Sequence, residues 1–170
     1  MSDPLPRLPQ AVGDEAGVEL DQALKTIHHC VGQLTDAQLW WRPSESMNSI
    51  ANLLLHLCGN LRQWIIAGVG GAPDVRQRQK EFDDRSSIDR TELLQRVDET
   101  VTEVKTAMAD VSAEDLLRVR CVQGNDVSGL QAIIHSIAHF RGHTQEIVHM
   151  TRCQLNDSYA FDFVPSAAEQ

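Results

Sequence analysis

Apolar residues recur every three or four positions along several long segments of this chain. The clearest set is Ile50, Leu53, Leu54, Leu57, Leu61, Trp64 and Ile65. A second set, Leu93, Leu94, Val97, Val101, Val104 and Met108, has the same spacing. This period matches the 3.6-residue turn of an α-helix and gives each helix one apolar stripe to bury. The chain is therefore expected to be all-α.

Signals at helix ends divide the chain into four long helices and two short ones. The long helices are predicted over residues 14–33, 48–67, 89–109 and 128–153. Asn48 is expected to cap the second long helix, and Ser128 with Gln131 has the spacing of a capping box for the last. Short helical turns are expected after Thr35 and Ser112. Four long helices predict a four-helix bundle with one or two short extra helices.

The remaining segments have the composition of connections. Residues 1–13 carry three prolines and are expected to form a flexible N-terminal arm, leaving one domain over residues 14–165. The charged stretch 73–87 is interpreted as a solvated linker. Gly124 and Asn125 are expected to form a loop.

The charge of the chain restricts its partners. The formal net charge is −9 at pH 7, and such an acidic surface repels phosphate backbones and anionic lipids. Nucleic acid and membrane surfaces are therefore not expected as partners. Apolar runs are too short to span a bilayer, and the first residues lack the layout of a signal peptide. A cytoplasmic location is expected.

The four cysteines do not form a recognisable metal or disulfide pattern. Cys30, Cys58, Cys121 and Cys153 are scattered, with no C-x-x-C pair. They are expected to be semi-buried free thiols. Cys58 lies two residues from His56, on a different part of the helix surface, and is not assigned as a ligand.

Three histidines lie four residues apart on the last predicted helix: His135, His139 and His143. Neighbours at this spacing share a helix face and can reach one metal ion. His139 and His143 lie nearer the buried surface than His135, so they are the candidate ligand pair. His135 is expected to be solvated or to support a ligand from behind. Histidines with no metal role are the alternative for all three.

A third ligand must come from another helix, and His56 is the candidate. It is the single histidine of the second predicted helix, at the edge of its leucine stripe. Partial desolvation there favours the neutral imidazole that binds metal. His28 and His29 are adjacent, so at most one of them could face inward. The alternative for His56 is a histidine at the edge of the core, bonded to a backbone carbonyl.

Three stretches of the chain resemble the DinB-like (YfiT-like) family of metal-dependent proteins. They are NSIANLLLHL at 48–57, AHFRGHTQEI at 138–147 and LWWRP at 39–43. A lone histidine in the second helix and a later H-x-x-x-H occur together in the order found in that family. The resemblance extends from about Leu20 to Phe163, so the domain over 14–165 is expected to be DinB-like.

The resemblance implies a four-helix bundle, a homodimer and a bound zinc or nickel ion. Matched residue by residue, the family's three metal-binding histidines fall on His56, His139 and His143. Some members are transferases or isomerases that use low-molecular-weight thiols. Relatives often carry Gly-Gln where this chain has Gln145 and Glu146, so no role of that pair is carried over.

Three imidazole ligands leave one position of the metal open, as in catalytic sites. An open zinc or nickel ion lowers the pKa of a bound thiol and favours the thiolate at neutral pH. We therefore expect a metal-dependent thiol S-transferase that joins a small-molecule thiol to an electrophile, with no catalytic residue assigned. A metal-dependent hydrolase and a non-catalytic dimeric bundle are the alternatives. Glu146 either orients a ligand or is a solvated helix residue.

Dimerisation is expected through the last predicted helix. Ile133, Ile137 and Phe140 form a wide apolar face on the helix that also carries two candidate ligands. A two-fold pair is the commonest closed oligomer.

Overall fold

The computed structural model describes residues 7–162, and its longest elements are helices. The helices are α1 (Leu8–Gly32), α2 (Asp36–Trp40), α3 (Ile50–Leu61), α4 (Arg78–Asp83), α5 (Arg90–Ala109), α6 (Ala113–Leu117) and α7 (Gly129–Leu155). A π-helix (Arg62–Ala67) continues α3, and a short 3₁₀ turn (Asn156–Ser158) follows α7. Two strands, β1 (Val119–Val122) and β2 (Asn125–Ser128), lie between α6 and α7.

The four long helices form the predicted bundle. Helix α1 packs against α5 and α7, and α3 packs against the same two helices. The largest fully buried side chains come from all four helices and include Leu20, Ile27, Leu53, Leu57, Leu93 and Phe140. Each such side chain contributes about 1.5–3 kcal/mol when it leaves water. Within residues 7–162, no helix combines the length and the apolar character needed to cross a bilayer.

Capping residues set most helix starts. Thr35, Ser112 and Ser128 each accept a hydrogen bond from the third backbone N–H of the helix that follows, in complete capping boxes. The predicted cap at Asn48 is wrong by one residue. Ser49 caps α3, because its side chain accepts from the backbone N–H of Asn52 while the Asn52 side chain accepts from Ser49.

Helix α1 begins earlier than predicted. It starts at Leu8 rather than at residue 14, so residues 8–13 are helical and not part of an arm. Pro9 lies in the first turn, where a residue without an N–H loses no helix hydrogen bond. The predicted arm residues 1–6, and residues 163–165 of the predicted domain, lie outside the described residues.

A small β-hairpin replaces the predicted loop at Gly124 and Asn125. Strands β1 and β2 pair antiparallel, with Val122 opposite Asn125. Gln123 has φ 52° and Gly124 has φ 77°, and two consecutive positive φ values are typical of the tight turns that join hairpin strands. The hairpin is the one β element of the described chain and does not alter the helical bundle.

The predicted dimer face is partly buried inside the subunit. Ile133 and Phe140 are 2% and 1% exposed and belong to the core. Ile137 is partly buried, and Ile134, which was not part of the predicted face, is 60% exposed. Of the three predicted residues, Ile137 alone therefore keeps appreciable exposed apolar surface.

Candidate metal centre

Helices α3 and α7 bring three histidine side chains together. His56 on α3 meets His139 and His143 on α7, and each offers one ligand atom within 4.8 Å of the other two. The Nε2 atoms of His56 and His139 lie 2.9 Å apart. The four-residue spacing places His139 and His143 on one helix face, with ring centroids 4.5 Å apart. The three candidates chosen from the sequence are thus neighbours in the fold.

Burial keeps the central imidazole neutral. Desolvation, followed by the neighbouring imidazoles of His143 and His56, lowers the pKa of His139 to about 4. At neutral pH its ring therefore carries a lone pair on one nitrogen. Among the three residues His56 is buried, while His139 and His143 are partly exposed, so the cluster is reached from the His139 and His143 side.

A buried ion pair lies behind His56. The Nδ1 of His56 is 2.9 Å from Oε2 of Glu81, which lies in the short helix α4 within the connection to α5 (residues 68–89). Arg76 donates from Nε to Oε1 of Glu81 over 2.7 Å and from Nη2 to Oε2 over 2.8 Å. The side chains of Arg76 and Glu81 are only 3% and 12% exposed. Residues predicted to form a solvated linker therefore pack against α3.

Opposing effects act on the Glu81 carboxyl. Burial raises its pKa, but hydrogen bonds from Arg76 and His56 outweigh burial and place the pKa of Glu81 below its ordinary value. Glu81 is therefore an acceptor-only carboxylate at neutral pH. Because it can only accept, its contact with Nδ1 of His56 is a hydrogen bond in the tautomer that carries the proton on Nδ1.

A second glutamate contacts the cluster from the other side. The Nδ1 of His143 is 2.7 Å from Oε2 of Glu146, one turn further along α7. This contact is compatible with the orienting role that the sequence left open for Glu146. The Glu146 side chain is 44% exposed, so water competes for its carboxylate.

His135 lies next to the cluster without joining it. Its ring stacks on Trp64, with centroids 4.1 Å apart, and lies parallel to His139 at 5.9 Å. Its exposed position agrees with the predicted solvated or supporting role. Trp64 belongs to the π-helix, and its buried Nε1 has no hydrogen-bond partner in the described chain. Short π-helical segments occur often at functional sites.

The remaining histidines and cysteines lie elsewhere. His28 contacts Asp98 at 2.7 Å, and His29 contacts the backbone oxygen of Ala160 at 2.6 Å. The prediction of four semi-buried thiols is wrong: Cys30 and Cys58 are buried, whereas Cys121 and Cys153 are exposed.

Cys58 carries no free thiolate. Burial raises the pKa of its thiol to about 11, so the thiol stays protonated, and it is not one of the three clustered residues.

Sequence reasoning missed Arg76 and Glu81. Charged residues in a polar connection carry no signal of burial. Gly59 offered a weak one, because a glycine inside a helix costs stability and is often kept for a packing reason. A Cβ built at Gly59 would lie 2.0 Å from Oε1 of Glu81.

The donor set fits a divalent transition metal. Imidazole nitrogen suits zinc and nickel, and these three rings come from two rigid helices. The Nε2 atoms of His56 and His139 face each other at 2.9 Å, and in an N–H···N hydrogen bond one of them is the acceptor, so at least one lone pair is directed into the cluster. The residues present are therefore compatible with metal binding.

Comparison with known proteins shows that this chain shares its fold with solved structures. Residues 14–167 match a family model described as a protein of unknown function, DUF1572. A conserved protein from Enterococcus faecalis superposes with TM-score 0.67 at 16% identity, covering 82% of this chain and 94% of that one. A DinB-like protein, YjoA from Bacillus subtilis, gives TM-score 0.65 at 12% identity, covering 86% and 96%. No curated protein matches this chain.

Proposed function

This chain belongs to the DUF1572 family and has a DinB-like fold, and from that premise we propose that it is a metal-dependent transferase for low-molecular-weight thiols. In the reaction a thiol loses its proton and forms a sulfur–carbon bond to an electrophile. With a haloarene, the halide leaves with the electrons of the broken carbon–halogen bond and the thiol proton is released to solvent. With an epoxide, the ring C–O bond breaks and the resulting alkoxide takes up a proton, so the thiol adds without loss of any atom. The choice of a thiol as substrate rests on the resemblance to DinB-like proteins, and the choice of a metal site rests on the three clustered histidines.

The observation that supports the proposal most strongly is the cluster of His56, His139 and His143. Their ligand atoms lie within 4.8 Å of one another, and the pKa of His139 is lowered to about 4. We assign these residues to hold a zinc or nickel ion. When bound, such an ion lowers the pKa of a coordinated thiol and favours a thiolate at neutral pH.

The surrounding residues have distinct tasks. His139 and His143 face the accessible side of the cluster, so a small thiol would enter there. Glu81 and Glu146 contact the Nδ1 atoms of His56 and His143. No residue of the described site is assigned as a general base.

Cobalt substitution tests the proposal. Cysteine or a sugar thiol added to the cobalt-loaded protein should produce a sulfur-to-metal charge-transfer band, and His139→Ala should show none. Cys58→Ala should keep the band, because that thiol is buried and protonated. Thiol consumption with a haloarene or epoxide is then measured. If no thiol perturbs the spectrum and none is consumed, the transferase proposal is wrong. Turnover of simple esters and amides would then test the hydrolase alternative against a non-catalytic bundle.

We also propose that the chain forms a homodimer through α1 and α7. The two helices form a mostly apolar groove. Its apolar lining includes Val12, Leu130, Ile134, Ile137 and Ala138, and the charged residues Glu15, Glu19 and Arg141 also line it. Such a face on a subunit is typical of a protein–protein contact. Sedimentation equilibrium should give twice the chain mass of 18.9 kDa, and Ile134→Glu should shift the protein to monomer. A wild-type monomer at micromolar concentration contradicts the proposal.

We propose a cytoplasmic location as well. Cys121 and Cys153 are exposed free thiols, which persist in a reducing compartment. Localisation of the tagged full chain by cell fractionation tests this.

A further inference from the structure

The Arg76–Glu81 pair behind His56 has no task in binding the thiol. We propose that Glu81, fixed by Arg76, is a positioning residue that sets the ring orientation and tautomer of His56 and so readies its Nε2 for a divalent metal. This inference rests on the proposed metal site and identifies which part of the chain prepares it.

The first step concerns the proton of His56. Oε2 of Glu81 lies 2.9 Å from Nδ1, and Nη2 of Arg76 lies 3.1 Å from the same atom. Arginine can only donate and the carboxylate can only accept. A proton on Nδ1 is donated to Oε2 of Glu81, and Nη2 of Arg76 then donates to that same oxygen over 2.8 Å and not to Nδ1. A proton on Nε2 would let Nδ1 accept from Arg76 but would place its lone pair 2.9 Å from the charged carboxylate, which is the less favourable arrangement. The contact therefore selects the tautomer whose Nε2 is free to bind metal.

The second step concerns the rigidity of Glu81. Arg76 holds both carboxylate oxygens in a two-pronged contact and also donates from Nη1 to Oε1 of Gln63 over 3.0 Å. Asn52 donates from Nδ2 to the backbone oxygen of Glu81 over 2.8 Å. The backbone of Glu81 is thus fixed to α3, the helix that carries His56, and its carboxylate is fixed through Arg76 to the π-helix that continues α3. Partners of this kind, bonded to the second nitrogen of a metal-binding histidine, orient the ring.

The third step concerns the space that Glu81 occupies. A Cβ at Gly59 would lie 2.0 Å from Oε1 of Glu81 and 2.9 Å from Nε of Arg76. Only glycine allows the ion pair to approach the helix one turn beyond His56. On the other side, Phe82 covers the His56 ring with centroids 4.8 Å apart, so the ring is confined from several directions.

The fourth step separates positioning from stability. A buried ion pair is weak evidence for stability, because replacing both partners by apolar residues of similar size is often neutral or stabilising. A structural role alone would therefore be replaceable by an apolar pair. A positioning role would not, since no apolar side chain accepts the Nδ1 proton of His56.

The experiment uses the double variant Arg76→Met/Glu81→Leu in the full chain. We expect it to fold, and to bind Zn²⁺ about 10- to 100-fold more weakly in competition with a chromophoric chelator. The matched control is Arg62→Met/Glu103→Leu, which replaces an exposed Arg–Glu pair and should keep wild-type affinity. A folded Arg76→Met/Glu81→Leu protein with wild-type affinity overturns the proposal.

A second readout needs no metal. Long-range ¹H–¹⁵N spectra of the metal-free wild type should show His56 with its proton on Nδ1, and Glu81→Gln should lose this single tautomer because its one oxygen cannot serve both Arg76 and His56. Glu81→Gln also replaces the double variant if that protein does not fold. An Nε2-protonated His56 in the wild type, or an unchanged tautomer in Glu81→Gln, contradicts the positioning role. If the wild type binds no Zn²⁺ while the tautomer responds as expected, the proposed function fails and the positioning of His56 stands.

Discussion

The candidate metal site contains two histidine–glutamate contacts of similar length that differ in burial and in the partners of the glutamate. His56–Glu81 and His143–Glu146 measure 2.9 and 2.7 Å. The Glu81 side chain is mostly buried and is bound by Arg76. The Glu146 side chain is about half exposed and lies on the same helix as His143. The charge of an exposed carboxylate is screened and its side chain stays mobile. Contact distance alone therefore does not distinguish the two glutamates. We expect Glu81 to orient its histidine ring more strongly than Glu146, because Glu81 is buried and bound by Arg76.

The largest expected effect is the loss of bound metal when His139, which lies between the two contacts, is replaced. His139→Ala leaves two imidazoles, one from each pair, and should abolish stoichiometric metal, as should His56→Ala and His143→Ala. His135→Ala is the matched control on the same helix and should retain the metal. Elemental analysis of the purified proteins checks this. One metal ion per chain in His139→Ala would contradict the ligand set.

The second effect concerns the ion pair that makes the two glutamates different. Arg76→Ala leaves Glu81 charged and buried, so we expect the free energy of unfolding to fall by about 3–5 kcal/mol. Arg62→Ala breaks the exposed pair with Glu103, whose side chains are 46% and 49% exposed, and should cost about 0–1 kcal/mol. Urea unfolding of the metal-free proteins measures both. Equal losses would mean that burial does not separate the two pairs.

The third effect concerns two glycines inside helices. Gly59→Ala places a methyl group against Glu81 and should destabilise the protein by about 1–3 kcal/mol and weaken metal binding. Gly142→Ala, next to His143, meets nothing within 4 Å and should stabilise α7 by about 0.4–1 kcal/mol. Thermal unfolding and chelator competition check the two variants. A neutral Gly59→Ala would show that the ion pair can retreat without loss.

The bundle was predictable because its signals are local. Apolar periodicity located α3, α5 and α7, and capping side chains marked helix starts at Thr35, Ser112 and Ser128. The hairpin gave no such signal, because its strands have four residues each and Gln123 is an uncommon residue at positive φ. The π-helix was equally hidden, since a shift of its hydrogen bonds by one residue leaves the apolar pattern intact.

Only the site residues on the long helices α3 and α7 could be predicted from the sequence. The spacing of His139 and His143, with the lone His56 on another apolar helix, singled out the residues that meet in the fold. Arg76 and Glu81 come from a connection whose composition is that of a solvated segment. They are buried because they pack against α3, which is distant from them in the sequence. Gly59, whose missing side chain leaves room for them, is the one residue of α3 that indicated this contact.

The smallest expected effect is that of the exposed glutamate. Glu146→Gln keeps an oxygen that can accept from Nδ1 of His143 and removes only the charge. An exposed contact of this kind is worth about 0.2–1 kcal/mol, which corresponds to less than about a fivefold change in the Zn²⁺ dissociation constant. The remaining effect should shrink further as ionic strength rises, because exposed charges are screened. Chelator competition at low and high salt measures this beside Glu81→Gln, whose larger loss should persist in salt. A loss in Glu146→Gln as large as that in Glu81→Gln would show that burial and the arginine partner are not what distinguishes the two contacts.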